Sequence, residues 1–368
     1  MRVLSIVTLV SPNGEYGGPV RVALNQAKAL RDAGHDVVVA GGARGFGKAL
    51  PQESDGVPLR LFRARMIIPG IGFAGLCAPG LQRWLKYAAR SVDIVHIHAA
   101  RDLVTLPAAQ WLRKAGIPYV MQTHGMIDPS GNPLAIPLDA FVTRPALRGA
   151  KVVFYLTGQE RNDLGAVAGE TLNRVQLANG VPEPANPNRP AAGTEVLYLA
   201  RLARRKRPQL FIEMALALAD EFPQVSFTLV GPDEGEGPAV QRLIDEADRE
   251  GILSWEGPLA PGATNERLGR ASLYVLPSVN EPYPMSVLEA MSVGLPVVIT
   301  DSCGLAQAVR ELGCGIVVDD SLEALVSAVA RILRDDVLSR SMGRAGALAS
   351  RTRFGMPAIA EALANSYR

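Results

Sequence analysis

Short apolar runs rich in Val, Ile and Leu alternate with amphipathic helical segments along this chain, and the whole alternation occurs twice. In the first half, strands are predicted over 3–9, 36–40, 93–98, 119–123 and 152–156, and helices over 19–33 and 103–115. In the second half, strands are predicted over 195–199, 226–230, 273–275, 296–299 and 315–317, and helices over 208–221, 239–250 and 322–333. Such alternation is typical of parallel strands buried on both faces of a sheet. It predicts an α/β chain with two doubly wound, Rossmann-like domains.

The two series are separated by residues 182–193, whose four prolines are typical of a linker. A chain of 368 residues is also about the right length for two domains. The charge is uneven: residues 1–185 carry 20 Lys and Arg against 13 Asp and Glu, whereas residues 186–368 carry 18 against 23. We therefore expect the two domains to have different partners.

Composition excludes several classes of protein. With 48% hydrophobic and 20% charged residues, each half can bury a core, and 5% aromatic residues leave little material for stacking on single-stranded nucleic acid. Three scattered cysteines form neither a disulfide framework nor a zinc motif, so a reducing, cytoplasmic location is expected. The first apolar run lacks a cleavage site and indicates a strand, and the weakly polar stretch 66–80 is too interrupted to span a bilayer.

A glycine-rich turn, 14–19, lies between the first predicted strand and the first helix. Gly17 and Gly18 would let the backbone approach a ligand, and the start of the helix offers free N–H groups to an anion. The turn lacks the G-x-G-x-x-G spacing of a dinucleotide-binding loop. The alternative is a plain strand-to-helix turn that needs positive φ.

Five cations lie between Arg201 and Arg207, just after a predicted strand and before a helix that Pro208 opens. Cations at the carboxyl end of a parallel strand, next to a helix N-terminus, suit a diphosphate. The alternative for such a cluster is a solvated charge run.

Two carboxylates, Glu281 and Glu289, flank a turn that enters a predicted helix. Ser286 and Glu289 have the spacing of a capping box, in which the two side chains satisfy N–H groups at the start of the helix. Glu281 has no such local explanation. A carboxylate in this Pro-rich loop is suited to accept hydroxyls of a sugar or a ribose.

His124 follows a predicted strand, within the segment 122–129. An imidazole there can donate to a sugar hydroxyl or to developing charge, and the alternative is a structural histidine. His96 and His98 share one face of a predicted strand, and the sequence offers no clear third ligand. A structural role is therefore predicted for both, and no metal site.

Taken together, these segments resemble the family-4 retaining glycosyltransferases of the GT-B fold, over nearly the whole chain. The resemblance is carried by the glycine pair after the first strand, by strand 93–98, and by the segments 123–125 and 179–181. It continues with Arg201 and Lys206, and with Glu281 and Glu289 followed by the run 290–298. The cationic element and the two-glutamate element in this order make the combination specific.

The resemblance implies two domains that face a central cleft. Residues 1–184 would hold the acceptor, residues 185–353 would hold the nucleotide sugar, and a final helix, 354–368, would cross back onto the first domain. The residues implied to contact the donor are Gly17, Gly18, Arg201, Lys206, Tyr283, Met285, Ser286 and Glu289, and those implied to act in transfer are His124, Arg201, Lys206 and Glu281.

Each implied role follows the family pattern. Arg201 and Lys206 would neutralise the leaving diphosphate, and the Met285 and Ser286 backbone N–H groups would add to that grip. Glu289 would hold the ribose, which competes with its capping-box interpretation. Glu281 and His124 would contact the transferred sugar, and Gly18 would lie against the phosphate.

The resemblance implies no metal ion and no other cofactor. The sequence has no Asp-x-Asp motif in a credible place, and the cations can offset charge on the leaving diphosphate as a divalent metal would. In this family, retention of the anomeric configuration is usually explained by front-face attack, and a covalent intermediate on Glu281 is the less favoured account. The chain departs from the family at Ala200 and Pro284, where Gly is common. Pro284 has no N–H, so one phosphate donor is absent.

The expected activity is transfer of a hexose from a UDP- or GDP-sugar to a saccharide, lipid-linked or small-molecule acceptor. A nucleotide-sugar 2-epimerase of the same fold is one alternative, and acceptor-dependent release of UDP would exclude it. A phosphorylase would need a pyridoxal lysine, and Lys206 is the only lysine after residue 185. A non-catalytic nucleotide-sugar binding protein is a further alternative, against which the joint presence of the site residues argues. No nucleic-acid partner is expected.

The segment 59–90 interleaves cations with large apolar residues and contains no carboxylate. Its cations are Arg60, Arg63, Arg65, Arg83, Lys86 and Arg90, and its apolar members include Phe62, Ile67, Ile68, Phe73, Trp84 and Leu85. One hypothesis is that this segment rests on the cytoplasmic leaflet of a membrane, with a lipid-linked acceptor. The alternative is a core helix with a solvated basic face.

Overall fold

The computed structural model describes residues 1–12, 17–70, 72–132, 135–184, 195–247, 251–260 and 262–368. They form two compact units: residues 1–180 with 356–368 make the first, and residues 181–355 make the second. Each unit is built on one mainly parallel sheet with helices packed against it. The predicted class, two Rossmann-like α/β domains, is confirmed.

The first unit contains ten described strands. They are β1 (Arg2–Val10), β2 (Asp36–Ala43), β3 (Glu53–Ser54), β4 (Val57–Arg63), β5 (Arg65–Met66), β6 (Leu76–Cys77), β7 (Ile94–His98), β8 (Tyr119–Gln122), β9 (Val153–Tyr155) and β10 (Arg174–Gln176). Eight form one sheet in the order β10-β9-β8-β7-β1-β2-β4-β3, in which β3 runs antiparallel to β4. β5 and β6 pair as a separate antiparallel hairpin.

The second unit contains a parallel sheet of six strands. They are β11 (Glu195–Leu199), β12 (Ser226–Val230), β13 (Leu253–Trp255), β14 (Leu273–Leu276), β15 (Val297–Thr300) and β16 (Gly315–Val318). Their order is β13-β12-β11-β14-β15-β16. The chain therefore starts in the middle of the sheet, builds outward to one side, and returns to build the other side from β14.

The described α-helices are α1 (Gly17–Asp32), α2 (Pro79–Ala88), α3 (Thr105–Ala115), α4 (Ala135–Leu138), α5 (Arg144–Gly149), α6 (Gly158–Ala168), α7 (Pro208–Ala219), α8 (Gly237–Ala247), α9 (Thr264–Gly269), α10 (Met285–Ser292), α11 (Ala306–Leu312), α12 (Leu322–Arg334), α13 (Asp336–Thr352) and α14 (Met356–Tyr367). A π-helical turn, Asp139–Thr143, joins α4 to α5, and Arg204–Lys206 form a 3-10 turn before α7.

Helices cover both faces of the first sheet. Successive side chains of a strand point to opposite faces, and in β1 Leu4 and Ile6 pack with α2, α3, α5 and α6. Val3 and Val7 pack with α1 and α14. The helix α14, although it follows the whole second unit in the chain, thus supplies part of the core of the first unit.

The second sheet is also covered by helices. α7 packs against α8 and α12, and α10 packs against α9 and α13. The strands β14 and β15 are wholly buried, as expected of parallel strands between helical layers.

Every strand and helix predicted from the sequence has a counterpart in the structure, with ends shifted by a few residues. Four predicted features lie partly outside the described residues: positions 14–16 of the glycine-rich turn, 71 of the segment 59–90, 185–193 of the linker, and 248–250 of the helix predicted over 239–250. Residues 182–184, at the start of the predicted linker, have no regular secondary structure.

Each sheet has one place where the strand order reverses. It lies between β1 and β7 in the first unit and between β11 and β14 in the second. In open α/β sheets, ligands bind outside the carboxyl ends of the strands at such a switch point. The residues that follow these strands are therefore the candidates for function.

Candidate functional site

The switch point of the second unit brings two predicted elements together. The cationic segment follows β11, and the loop that carries Glu281 follows β14, its neighbour in the sheet. The two loops are joined by a hydrogen bond from the Val279 N–H to the Arg205 carbonyl, 2.9 Å long. The backbone of Glu281 is held in turn by the Gly304 N–H, which donates to its carbonyl at 2.8 Å.

Lys206 and Glu281 form a buried ion pair. Lys206 Nζ lies 2.6 Å from Glu281 Oε2, and the two side chains are 10% and 7% exposed. Arg205, much more exposed, lies 3.5 Å from the same oxygen. Burial lowers the pKa of Lys206, and the carboxylate of Glu281 opposes that shift. One buried and one exposed cation thus share a carboxylate at the switch point.

Arg201 is placed differently from Lys206. Its guanidinium is half-exposed and pairs with Glu234, which follows β12 and is itself half-exposed. The loop after β12 reaches Arg201 because Gly231, at φ +148°, lies directly against Ala200, the residue before Arg201. A Cβ at Gly231 would lie 2.0 Å from the Ala200 carbonyl oxygen. Arg201 therefore offers an accessible cation beside the buried pair.

The capping box predicted at Ser286 and Glu289 is wrong. α10 begins at Met285, and Pro284, in an extended conformation, occupies the N-cap position with no side-chain cap. Because the helix starts before Ser286, the hydroxyl of Ser286 lies inside the first turn and is hydrogen-bonded to the Tyr274 hydroxyl at 2.7 Å. The carboxylate-bearing Glu289 is 4% exposed, in the same helix.

The start of α10 carries the remaining predicted donor contacts of the second unit. Met285 and Ser286 provide backbone N–H groups in its first turn, where helices bind anions. Tyr283 is half-buried in the loop just before the helix. The second unit thus gathers the cations, the two glutamates and a helix N-terminus after neighbouring strands.

In the first unit, the described part of the glycine motif lies at the start of α1. Gly17 and Gly18 are the first residues of that helix. A Cβ at Gly18 would meet nothing within 4 Å, and Gly18 does not adopt positive φ. The turn alternative, which requires positive φ, therefore does not explain Gly18.

His124 follows β8, which pairs with β7 next to the switch point of the first sheet. Its Nε2 lies 2.9 Å from His98 Nδ1, and the two rings are stacked with their centroids 5.2 Å apart. Burial lowers the pKa of His124 to about 3, so the imidazole is neutral at physiological pH. A neutral imidazole carries one N–H donor and one acceptor.

His96 and His98 are both buried, as a structural role would require. His96 stacks on His98, and its Nδ1 lies 2.8 Å from the Tyr367 hydroxyl of α14. His98, however, contacts His124 and so belongs to the candidate site. In the described part of the chain, no three His, Cys, Asp or Glu side chains form a group that could hold a metal ion.

The sequence did not indicate Glu160, which is 4% exposed and bonds the loop around His124. Its Oε1 accepts from the Thr123 hydroxyl at 2.5 Å and from the Gly125 N–H at 2.6 Å. A local signal exists, because Thr157 and Glu160 have the spacing of a capping box and Thr157 does cap α6. That signal predicts a helix cap, not a link to residues 123 and 125.

The segment 59–90 is neither one exposed surface nor one core helix. Leu85 is buried in the core. Phe62 and Trp84 are partly buried and pack against that core and against each other. The side chain of Phe73 lies outside the described residues. The large apolar residues exposed here are Met66, Ile67, Ile68 and Tyr87. No helix among the described residues is long and apolar enough to cross a bilayer.

Two protein-family descriptions match the chain, one on each side of residue 181. "Glycosyl transferase 4-like domain" matches residues 17–180, and "Glycosyl transferases group 1" matches residues 183–348. Together they span most of the sequence.

Relatives of known name are also glycosyltransferases. A D-inositol 3-phosphate glycosyltransferase from Streptomyces avermitilis is 27% identical over 321 residues, 78% of this chain and 67% of that protein. A phosphatidyl-myo-inositol mannosyltransferase from Mycolicibacterium smegmatis is 27% identical over 345 residues, 88% of this chain and 82% of that protein. The solved structure of Anabaena Alr3699/HepE in complex with UDP and glucose superposes with a TM-score of 0.76 at 21% identity, covering 100% of this chain and 99% of that one.

Proposed function

Because this chain belongs to the family-4, group 1 glycosyltransferases of the GT-B fold, we propose that it transfers a hexose from a nucleoside diphosphate sugar to an acceptor hydroxyl. The observation that carries the proposal is the buried pair of Lys206 and Glu281 beside the accessible Arg201, at the switch point of the second unit. A UDP- or GDP-sugar supplies the diphosphate that such cations bind.

In the second unit, Arg201 and Lys206 neutralise the charge that develops on the leaving diphosphate, together with the N-terminus of α10. Preorganised charges of this kind act without reorganising during the reaction. Glu289 holds the ribose hydroxyls and Glu281 holds hydroxyls of the transferred sugar, with Tyr283 as a further donor contact. The support for Glu289 is its burial together with the absence of the predicted capping box.

In the first unit, Gly17 and Gly18 lie against the phosphate and His124 contacts the transferred sugar. The support for Gly18 is the open space at its Cα, and the support for His124 is its neutral imidazole at the end of a strand. A neutral ring can donate one hydrogen bond without bringing an uncompensated charge to the site.

The proposed reaction retains the anomeric configuration and needs no metal ion, because the cations take the part of a Lewis acid at the diphosphate. Front-face attack, with the leaving phosphate helping to deprotonate the acceptor, is the proposed route. The acceptor is a saccharide, a lipid-linked saccharide or a small molecule. The names of the relatives favour including inositol phosphate and phosphatidylinositol among the first acceptors tested.

A cytoplasmic location with peripheral membrane contact is part of the proposal. The proposed contact surface is smaller than the whole segment 59–90. It consists of the exposed residues Met66, Ile67 and Ile68 and of exposed cations near them, Arg65 among them. Liposome co-sedimentation at low salt tests it. Binding that needs anionic lipid and is lost on Ile67→Ser with Ile68→Ser supports the contact, and no binding to anionic liposomes contradicts it.

The decisive experiment measures release of nucleoside diphosphate. A thermal-shift panel of UDP, GDP and their sugars first selects the donor, since a ligand at 100 times its dissociation constant stabilises a protein by about 2.7 kcal/mol. We then expect diphosphate release that depends on acceptor, survives excess EDTA and yields a product of retained configuration by NMR. Release of nucleoside diphosphate without acceptor, together with formation of a 2-epimeric sugar, would favour the epimerase. The glycosyltransferase relatives do not favour that alternative.

A further inference from the structure

The backbone at His124 is held in an unusual conformation. His124 has φ +53° and Gly125 has φ +72°, both in the left-handed region. Glycine adopts this region freely, whereas a residue with a Cβ does so at a cost and only where its surroundings hold it there. The structure must therefore contain contacts that fix this turn.

Glu160 supplies such contacts on both sides of His124. The same carboxylate oxygen accepts from the Thr123 hydroxyl at 2.5 Å and from the Gly125 N–H at 2.6 Å. The second oxygen accepts from the Leu156 N–H at 2.6 Å, which ties the carboxylate to the end of β9. A carboxylate accepts at both oxygens, and an amide of the same shape does not, so this arrangement needs Glu rather than Gln.

His98 constrains the ring of His124. The gap of 2.9 Å between His98 Nδ1 and His124 Nε2 holds one hydrogen, so the tautomers of the two neutral rings are coupled. His98 Nε2 is buried and hydrogen-bonds to none of the described residues. A buried N–H without an acceptor is costlier than a buried lone pair, which favours the proton of His98 on Nδ1. His124 Nε2 then accepts, and His124 carries its own proton on Nδ1.

We propose that Glu160 and His98 are positioning residues for His124: Glu160 fixes the backbone on either side of it, and His98 fixes its proton on Nδ1, so that this N–H is the donor to the transferred sugar. The assignment of this N–H as the donor to the sugar rests on the proposed function. Neither residue touches the sugar, and both act through His124.

The chain has only four histidines, so NMR of protein labelled with ¹⁵N in the imidazole rings resolves each of them. In the wild type at neutral pH we expect His124 with its proton on Nδ1. Glu160→Gln and His98→Leu should each produce a mixture of tautomers or a second conformer. His98→Asn should restore the single tautomer, because its amide can donate to His124 Nε2. Glu170→Gln, at an exposed carboxylate paired with Arg174, is the matched control and should change nothing.

Steady-state kinetics give the second measurement. Glu160→Gln and His98→Leu should lower kcat by about 10- to 100-fold, the scale of a misplaced contact at the reacting group. The affinity for free nucleoside diphosphate should stay within about twofold, because neither substitution changes a residue that is proposed to bind the diphosphate. His98→Asn should recover most of kcat. A general loss of structure would lower both kcat and the affinity for nucleoside diphosphate, and a melting curve would also reveal it.

Two results would overturn the proposal: a wild-type His124 protonated on Nε2, or an unchanged tautomer and kcat in Glu160→Gln and His98→Leu. If Glu160→Gln does not fold, Thr123→Val removes one of its donors and keeps the shape of the side chain, and the same expectations apply. The tautomer measurement needs no substrate. Failure of the wild type to use any nucleotide sugar would therefore refute the proposed function and leave the positioning of His124 to be judged by NMR.

Discussion

Lys206 Nζ lies 2.6 Å from a carboxylate oxygen of Glu281, and both side chains are almost wholly removed from solvent. Each charge has lost most of its hydration, so each depends on the other for compensation. A substitution at either position therefore alters the stability of the second unit as well as any grip on the donor, and the two effects must be separated.

Single substitutions of this pair should destabilise the protein. Glu281→Ala is expected to lower the free energy of unfolding by about 3 kcal/mol, because Lys206 stays buried without its carboxylate. Lys206→Met should cost less, because the exposed Arg205 still lies 3.5 Å from the buried Glu281 carboxylate. The double variant with Lys206→Met and Glu281→Leu should recover most of the lost stability, because two apolar side chains replace the ion pair. It should nevertheless remain inactive in transfer. Denaturant unfolding and diphosphate release measure the two effects. Single variants as stable as the wild type would show that the pair is hydrated in solution.

Arg201 should behave in the opposite way. Its pair with Glu234 is half-exposed, so Arg201→Ala is expected to change the unfolding free energy by less than about 1 kcal/mol. Turnover should fall at least about 100-fold, the scale for removing one preorganised charge. Arg270→Ala, which removes another exposed arginine paired with a glutamate in the same unit, is the control for both measurements. Near-normal turnover of Arg201→Ala would remove Arg201 from the site.

Glu289→Gln tests the ribose contact. The substitution keeps the shape of a buried side chain that does not cap its helix, so we expect the protein to fold. Affinity for the nucleoside diphosphate should fall about tenfold, since hydrogen bonds to charged groups contribute about 1.5–3 kcal/mol. Calorimetric titration measures the affinity, with Glu323→Gln on the exposed surface of α12 as control. A loss of stability with unchanged affinity would assign Glu289 a structural role only.

Two histidines with lowered pKa values, His96 and His124, predict a pH dependence of stability. Burial, with the nearby His124, lowers the pKa of His96 to about 3, and burial lowers the pKa of His124 to about 3, whereas both titrate near 6.5 when unfolded. Between these values the unfolded chain binds more protons, so the unfolding free energy is highest above pH 6.5 and is lost as the pH falls toward 3. Each histidine adds a slope of about 1.4 kcal/mol per pH unit. Urea unfolding at several pH values should show a shallower slope in His96→Gln, and an equal slope would contradict this account.

The sequence predicts the fold well because its evidence is local. The Val-rich run that forms β2 and the proline that opens α7 indicate strand and helix without knowledge of any distant residue. The cationic segment and Glu281 were found for the same reason, since each follows a recognisable strand. The covering of the first sheet by α14 is a long-range fact, and the sequence indicates it only through the family resemblance.

The candidate site shows where local evidence ends. The pattern of Ser or Thr followed three residues later by Glu occurs at Thr157 and Glu160 and at Ser286 and Glu289, and it predicts the same capping box at both. At the first, Thr157 caps the helix, but Glu160 turns to residues 123 and 125. At the second, the helix begins before Ser286 and no box forms. Contacts distant in the chain decide between these outcomes, so the pattern alone could not.

The mixed segment 59–90 shows the same limit of local evidence. Some of its apolar residues are buried and others are exposed: Leu85 lies in the core, whereas Ile67 lies exposed on the hairpin between β5 and β6. The periodicity of the sequence does not distinguish the two groups. Only the packing of Trp84 on Phe62 distinguishes the buried part.

The position of α14 has a consequence for synthesis of the chain. A ribosome synthesises residues 181–355 before residues 356–367, so the first unit lacks one of its helices until all of the second unit has been made. Until α14 docks, the sheet face that carries Val3, Val7 and Phe154 is open on one side, and His96 has no Tyr367 to bond. The unit that is translated first is thus completed only by the last helix to be made, and its uncovered face is the surface that a chaperone would meet on the nascent chain.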